Sequence, residues 1–294
     1  MELFSQRLVD GLSSGCIYAA LALAIVLVFR ATGTLNLAQG EMAMFCCFLI
    51  WKLTDLGWPL IPAILAGVVA GFVGGAAIER VIIRPVEDSR DHLPVIIVTL
   101  GLLLALDSLA GGLFTVDTET LGSPFPSGSW HIGQVLVPYS SIGLFVVISA
   151  LSGLMWFTFH RTRLGLAMRA SVDNPESARL LGIRRSRMLM IGWGAAAALG
   201  ALAAALVAPQ TYVYTGMLQG VLLYAFTAAT LGGFDSPAGA VVGGLLVGVL
   251  QTMVSGYVGF VGNDLSLMTA LVVIIVVLML KPTGLFGRPD SRRL

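Results

Sequence analysis

The 294 residues are 57% hydrophobic and only 11% charged, with a mean hydropathy of +0.91, and no soluble core can hide that much apolar surface. The chain needs lipid. Its formal net charge of +1 argues neither for nor against nucleic acid, and Cys16, Cys46 and Cys47 have neither disulfide nor metal-ligand spacing.

A helix crossing the hydrocarbon needs about 20 mostly apolar residues, and such runs recur along the chain. The first, 11–29, is preceded by a single basic residue, Arg7, which favours a retained helix over a cleaved leader. Inside it, Gly11-Leu12-Ser13-Ser14-Gly15 has the letters of a serine-nucleophile motif. That motif needs a strand-to-helix elbow and a histidine in reach, and His92, His131 and His160 lie at helix ends or in loops. Small-residue helix packing is the better reading.

Segment 31–41 is either a turn or a re-entrant bend, and it brings Asn36, Gln39, Gly40 and Glu41 to the start of the second run, 37–53. These polar residues can cap that helix, with Glu41 at the positive dipole end, or they can line a translocation path. The third run, 60–78, carries GxxxG spacing at Gly67/Gly71 and Gly71/Gly75, which predicts close helix contact. The fourth, 94–114, holds Thr99, Gly101 and Asp107, and Asp107 and Glu41 are the plausible intramembrane ionisable residues.

A polar stretch rich in Gly, Pro and Ser follows at 115–140, then runs at 141–159, 188–208, 218–232, 237–256 and 265–280. GxxxG spacing returns at Gly239/Gly243 and Gly244/Gly248. The expected fold is an all-α polytopic membrane bundle of eight or nine spans, since 218–232 is short and the runs lack the alternation of barrel strands. The polar stretches are too short to form a second core, so 1–294 reads as one transmembrane domain.

Basic residues set the orientation, because short cytoplasmic loops collect Lys and Arg. Arg30, Arg80, Arg84, Arg90, the run from Arg161 to Arg187, Lys281, Arg288, Arg292 and Arg293 fall on one face. Arg7 and Lys52 fall on the other, with Asp55, Asp117, Glu119 and Asp264. With nine spans the amino terminus is outside and 160–187 is cytoplasmic.

That basic loop is more ordered than an anchor requires. Asp173 or Asn174 can cap a helix, Pro175 suits its first position, Glu176 complements its dipole, and Gly182 supplies a left-handed stop. Ala178, Leu181 and Ile183 then form a small apolar face that wants a partner.

Enzymatic chemistry is missing. No HExxH or Cys/His cluster offers metal ligands. Lys52 and Lys281, the only lysines, are followed by Leu53 and Pro282, which excludes a phosphate-binding GxxxxGK[ST] loop. No catalytic residue, metal or cofactor is expected, and any pumping must draw on an ion gradient or a partner chain.

Gly165, Met168-Arg169-Ala170, Asn174, Ala178 and Leu181-Gly182-Ile183 resemble the cytoplasmic coupling loop of permeases in ABC importers of the branched-chain amino acid type. Thr34-Leu35-Asn36-Leu37-Ala38-Gln39-Gly40-Glu41 is similar to that family's NFAHGE segment, with Leu for Phe and Gln for His. Thr99-Leu100-Gly101, Leu231-Gly232-Gly233, Pro237-Ala238-Gly239, Gly243-Gly244 and the segment from Lys281 to Gly287 match further signatures in the same order.

The resemblance implies a non-enzymatic permease subunit for branched-chain or related aliphatic amino acids, multi-pass in the bacterial cytoplasmic (inner) membrane. Its implied partners are a second homologous permease, two ATP-binding cassette ATPase subunits, an extracytoplasmic substrate-binding protein and the lipid bilayer. Similar permeases serve urea or short amides. The rival readings are a stand-alone ion-coupled transporter and a membrane-embedded transferase or protease.

Overall fold

The computed structural model describes residues 2–87, 93–133, 135–258, 266–281 and 283–287. Arg90, His92, Asp264, Pro282, Arg288, Arg292 and Arg293 lie outside them. All nine expected runs are helical: α1 (Glu2–Thr32), α2 (Gln39–Asp55), α3 (Leu60–Ile78), α5 (Leu93–Leu113), α6 (Tyr139–Arg161), α9 (Arg185–Thr211), α10 (Gln219–Gly232), α11 (Pro237–Tyr257) and α12 (Ser266–Leu280). A π-helical turn at Glu79–Ile83 and one turn, α4 (Arg84–Glu87), extend α3. The basic loop forms α7 (Arg163–Asp173) and α8 (Pro175–Leu180). Ser13 sits inside α1 and donates to the Val9 carbonyl at 2.9 Å, so the GxSxG letters mark helix and no elbow.

Among the described residues six helices are long and apolar enough to cross a membrane, which makes the protein multi-pass. The other three runs are shorter: α2 has 17 residues, α10 has 14 and α12 has 15. At about 1.5 Å per residue, α10 rises only about 21 Å, less than the roughly 30 Å of hydrocarbon. One element went unforeseen. Within 115–140, β1 (Ser129–Ile132) pairs antiparallel with β2 (Val135–Pro138), Trp130 opposite Val137.

The chain divides into two compact units, Met1–Val26, Phe125–Leu154 and Leu222–Leu294 forming one, Leu27–Pro124 and Met155–Val221 the other. In the first unit, α1 and α11 run antiparallel at glycine contact: a Cβ on Gly15 would stand 2.7 Å from the Leu245 Cα, and one on Gly244 would stand 2.7 Å from the Ala19 Cα. This is the close approach that the GxxxG spacing at Gly244/Gly248 predicts. The Gln6 side-chain amide donates to the Leu136 carbonyl at 3.2 Å and accepts from its N–H at 2.9 Å, covering an edge that β2 would otherwise expose. Beyond α12, Leu285 N–H reaches the Leu231 carbonyl at 2.7 Å and Phe286 N–H that of Gly232 at 3.1 Å, closing the end of α10.

In the second unit, α3 and α9 pack antiparallel, with Gly71 against Ala197 and Gly75 against Trp193, while Gly67 receives Ile50 of α2. Parallel to α9 runs α2, since Gln39 meets Ala196 and, one turn on, Ala43 meets Gly200. Parallel to α2 runs α5, whose end brings Phe114 to 5.4 Å from Phe45 and 5.5 Å from Phe48. These directions put the ends of α1 and α3 and the starts of α2, α5 and α9 at one end of the unit. That end holds Arg30, Arg84 and the arginines of α7 and α8, as the charge pattern predicts. Lys52, paired with Asp55 at 2.9 Å, and Glu119, bridged to Val213, lie at the other.

Candidate functional site

The basic loop is built from local signals. Thr162 adopts extended backbone and its Oγ1 accepts from the Gly165 N–H at 3.2 Å, opening α7. Gly165 must be glycine: a Cβ there would stand 2.5 Å from the Phe159 Cα and 2.8 Å from its carbonyl oxygen. Phe159 also carries the Arg30 guanidinium over its ring at 4.5 Å. Gly165, Met168 and Ser171 bury one stripe of α7, while Arg169 and Ala170 are half-buried beside it.

Asn174 serves both helices. Its N–H closes α7 on the Ala170 carbonyl at 3.1 Å, and its Oδ1 accepts from the Ser177 N–H at 3.0 Å to open α8, with Pro175 at the first position. Gly182, at φ +80°, ends α8: its N–H reaches the Arg179 carbonyl and the Ile183 N–H reaches that of Ala178, both at 3.0 Å. These are the paired bonds of a Schellman stop.

The apolar face expected of Ala178, Leu181 and Ile183 divides. Ala178 is 2% exposed, whereas Leu181 is 79% and its neighbour Leu180 89% exposed. Seen from outside the loop, the apolar tip is therefore Leu180–Leu181. Leu180 escapes a reading based on spacing, because the helix ends on it and the stop that follows leaves both leucines outward.

An ion pair with its carboxylate buried and its guanidinium half-exposed braces the same end. Glu79, fully buried in the π turn, accepts from Arg84 Nε at 3.2 Å and Nη2 at 2.8 Å, and Nη2 also donates to the Ser186 carbonyl at the start of α9, at 3.3 Å. The fork ties α3 to the exit of the loop. In an α-helix residues five apart point to different faces, and only the π turn aligns them, so the sequence gives little sign of this pair. Glu79→Gln, which removes the anionic partner of the half-exposed Arg84, is expected to lower stability by about 1.5 kcal/mol. Glu79→Gln/Arg84→Gln should recover part of the loss. Thermal unfolding of the detergent-purified protein checks both.

The second cluster surrounds the start of α2. Gly33, at φ +76°, ends α1, and Asn36 Oδ1 accepts from the Ala38 N–H at 3.0 Å, shaping the bend. No side chain caps α2, whose N-cap is Ala38. The capping role open to Asn36, Gln39 and Glu41 is thus confined to the turn before the helix. Gln39 Nε2 instead crosses to the Ala196 carbonyl at 3.0 Å, and Asn36 Nδ2 donates to Gln39 Oε1 at 3.2 Å. Gly200 leaves room for this link, since a Cβ there would stand 2.8 Å from Gln39 Nε2.

Asn36, Gln39, Gly40 and Glu41 are all buried, Glu41 to 1% exposure. Gln219 Nε2 donates to Glu41 Oε1 at 3.4 Å, while Glu41 Oε2 and Asp107 Oδ1 are buried without a hydrogen-bond partner among the described residues. Asp107 lies within electrostatic reach of Glu41. Sequence reasoning flags both carboxylates and misses Gln219, which comes from the first residue of the short α10. Thr99 is buried and spends its hydroxyl on the Ile96 carbonyl at 2.9 Å. Gly101, about 200° further round α5, faces open space and does not join the cluster.

Comparison with known proteins covers the whole of this architecture. Residues 7–279 match the family model described as branched-chain amino acid transport system / permease component. The chain is 32% identical to the high-affinity branched-chain amino acid transport system permease protein BraD of Pseudomonas aeruginosa, over 99% of this chain and 98% of that protein. It is 30% identical to the corresponding permease protein LivH of Escherichia coli, over 99% and 97% of the two. A probable branched-chain amino acid transport permease protein of Methanocaldococcus jannaschii is 25% identical, over 91% and 87%.

Proposed function

Because the chain belongs to the family of branched-chain amino acid transport system permease components, we propose that it forms half of the translocation path of an ATP-binding cassette importer for branched-chain or related aliphatic amino acids. In this reading it works in the bacterial cytoplasmic membrane, with the arginine-rich end inside, and catalyses nothing itself. A second homologous permease completes the path. Two ATPase subunits supply hydrolysis, and an extracytoplasmic binding protein delivers the substrate.

The observation that carries the reading is α8. A six-residue helix with a side-chain cap at one end and a glycine stop at the other holds at its end the two most exposed leucines of the basic loop, Leu180 and Leu181. Anchoring a membrane protein needs arginines and no such tip. An ATPase groove would cover Leu180 and Leu181 and transmit nucleotide-driven closure through α7 and α9.

In the same reading the cluster of Asn36, Gln39, Gly40 and Glu41 lines the path, since a buried, unpartnered carboxylate oxygen within a membrane helix calls for a ligand or water. Glu41→Gln should lower uptake about tenfold or more, the value of one charge-assisted hydrogen bond of about 1.5–3 kcal/mol, with assembly unchanged by gel filtration.

Reconstitution tests the whole. The permease pair with its ATPases and binding protein should accumulate L-leucine in proteoliposomes only when ATP is supplied on the ATPase side. Uptake by the permease alone under a proton or sodium gradient would replace the reading by an ion-coupled transporter. Uptake of urea or acetamide in place of leucine would keep the permease and change its substrate.

A further inference from the structure

Arg7 is one of two basic residues that stand against the charge asymmetry of the chain, and the structure gives it surroundings that topology does not require. In the first unit, a cavity of about 450 Å³ opens between α1 and α11, lined by Arg7, Asp10, Ser14, Gln251, Thr252 and Ser255. The size falls in the range of small-molecule sites. Every lining side chain is polar, although both helices are long enough to span a membrane.

Arg7 is held in place by its neighbours. Its guanidinium lies over the Tyr257 ring at 4.5 Å, and the missing side chain of Gly256 makes room for it, since a Cβ there would stand 2.7 Å from Arg7 Nε. Asp10 is fixed by the Gln6 amide at 3.0 Å. No ion pair joins Arg7 to Asp10, although the two are three residues apart on one helical face. Half-buried Arg7 and exposed Asp10 thus line the same cavity without pairing with each other.

We infer that this cavity is a second binding site, for the zwitterionic head of an α-amino acid: Arg7 receives the carboxylate, and Asp10 receives the ammonium, with Ser14, Gln251, Thr252 and Ser255 completing the polar wall. A planar guanidinium grips a carboxylate through two parallel hydrogen bonds. The head groups of α-amino acids differ little, so the site selects the class and leaves the side chain to other contacts. It lies at the end of α1 that the charge pattern puts outside, where substrate would arrive. The inference rests on the importer reading above for the side chain of the ligand and for the side of the membrane that the cavity faces.

The test uses the complete transporter in right-side-out proteoliposomes, with Thr252→Cys labelled by a membrane-impermeant maleimide. Cys16, Cys46 and Cys47 are buried, which keeps the background low. L-Leucine at about ten times its half-protecting concentration should slow labelling about tenfold. Leucinamide, which lacks the carboxylate, and 4-methylpentanoate, which lacks the ammonium, should not, and Arg7→Gln or Asp10→Asn should remove the protection. Ser255→Cys repeats the measurement if Thr252→Cys does not assemble.

Equal protection by all three compounds, or protection by none of the α-amino acids tried, overturns the site, as does labelling only from the ATPase side. If leucine is not transported while glycine or glutamine protects Thr252→Cys, the zwitterion site stands and the branched-chain assignment falls.

Discussion

Replacing Leu180 and Leu181 together by glutamate should abolish ATP-driven uptake while leaving the permease folded. Both side chains are 79% exposed or more and touch too little of their own chain to stabilise it. The caps that build α8 come from Asn174 and Gly182, which the substitution leaves intact. If the pair fills an ATPase groove, losing two anchors and burying two charges costs about 3 kcal/mol of association, roughly a hundredfold in affinity. Gel filtration should show the permease without its ATPases, and the ATPase rate should no longer respond to loaded binding protein. Unchanged uptake would remove α8 from the coupling path. Ala178→Glu is the informative contrast: it forces a charge into a site 2% exposed and should damage the loop itself, lowering thermal stability as well as uptake.

Gly75→Leu should prevent accumulation of the protein in the membrane. A Cβ at that position would stand 2.6 Å from the Trp193 carbonyl oxygen and 2.6 Å from the Ala197 Cβ, and neither backbone nor alanine can rotate away. One turn earlier, Gly71 faces the Ala197 carbonyl oxygen at 3.0 Å, so the two helices cannot slide to a looser register without new clashes. Overpacking of this kind costs about 1–3 kcal/mol even in tolerant cores, and this seam has no flexible side chain to give way. Immunoblotting of membranes reads the effect. Gly74→Leu, with open space around its Cβ position, should accumulate normally and controls for the loss of a glycine in α3.

Much of this architecture could be read from the residues alone, for a physical reason. Lipid imposes long apolar runs, and helix ends are marked by the few residue types that can satisfy free amides and carbonyls. Hence the nine runs and both ends of α8 were predictable, its start to Asp173 or Asn174 and its stop to Gly182. The facing of individual side chains was not. Ala178 turned inward because α8 ends too soon for a full apolar stripe, and Leu180 took its place outside. Glu79 and Arg84 could not be paired in advance, as their alignment depends on a π turn that sequence periodicity does not announce. Gln219 joins Glu41 across a separation of 178 residues, which only the folded chain specifies. The β1–β2 hairpin was hidden in a stretch whose Gly, Pro and Ser content reads as loop.

Asn174 has a mechanical consequence. Because the same residue terminates α7 and initiates α8, the loop contains no slack linker at that point, and the two helices meet at a single articulated joint. Eleven residues of α7 make an arm of about 16 Å, pinned at its far end where Gly165 presses on the backbone of Phe159. In the coupling proposed above, a displacement of the leucine tip would reach that pin through α7 with Asn174 as the joint on which it turns.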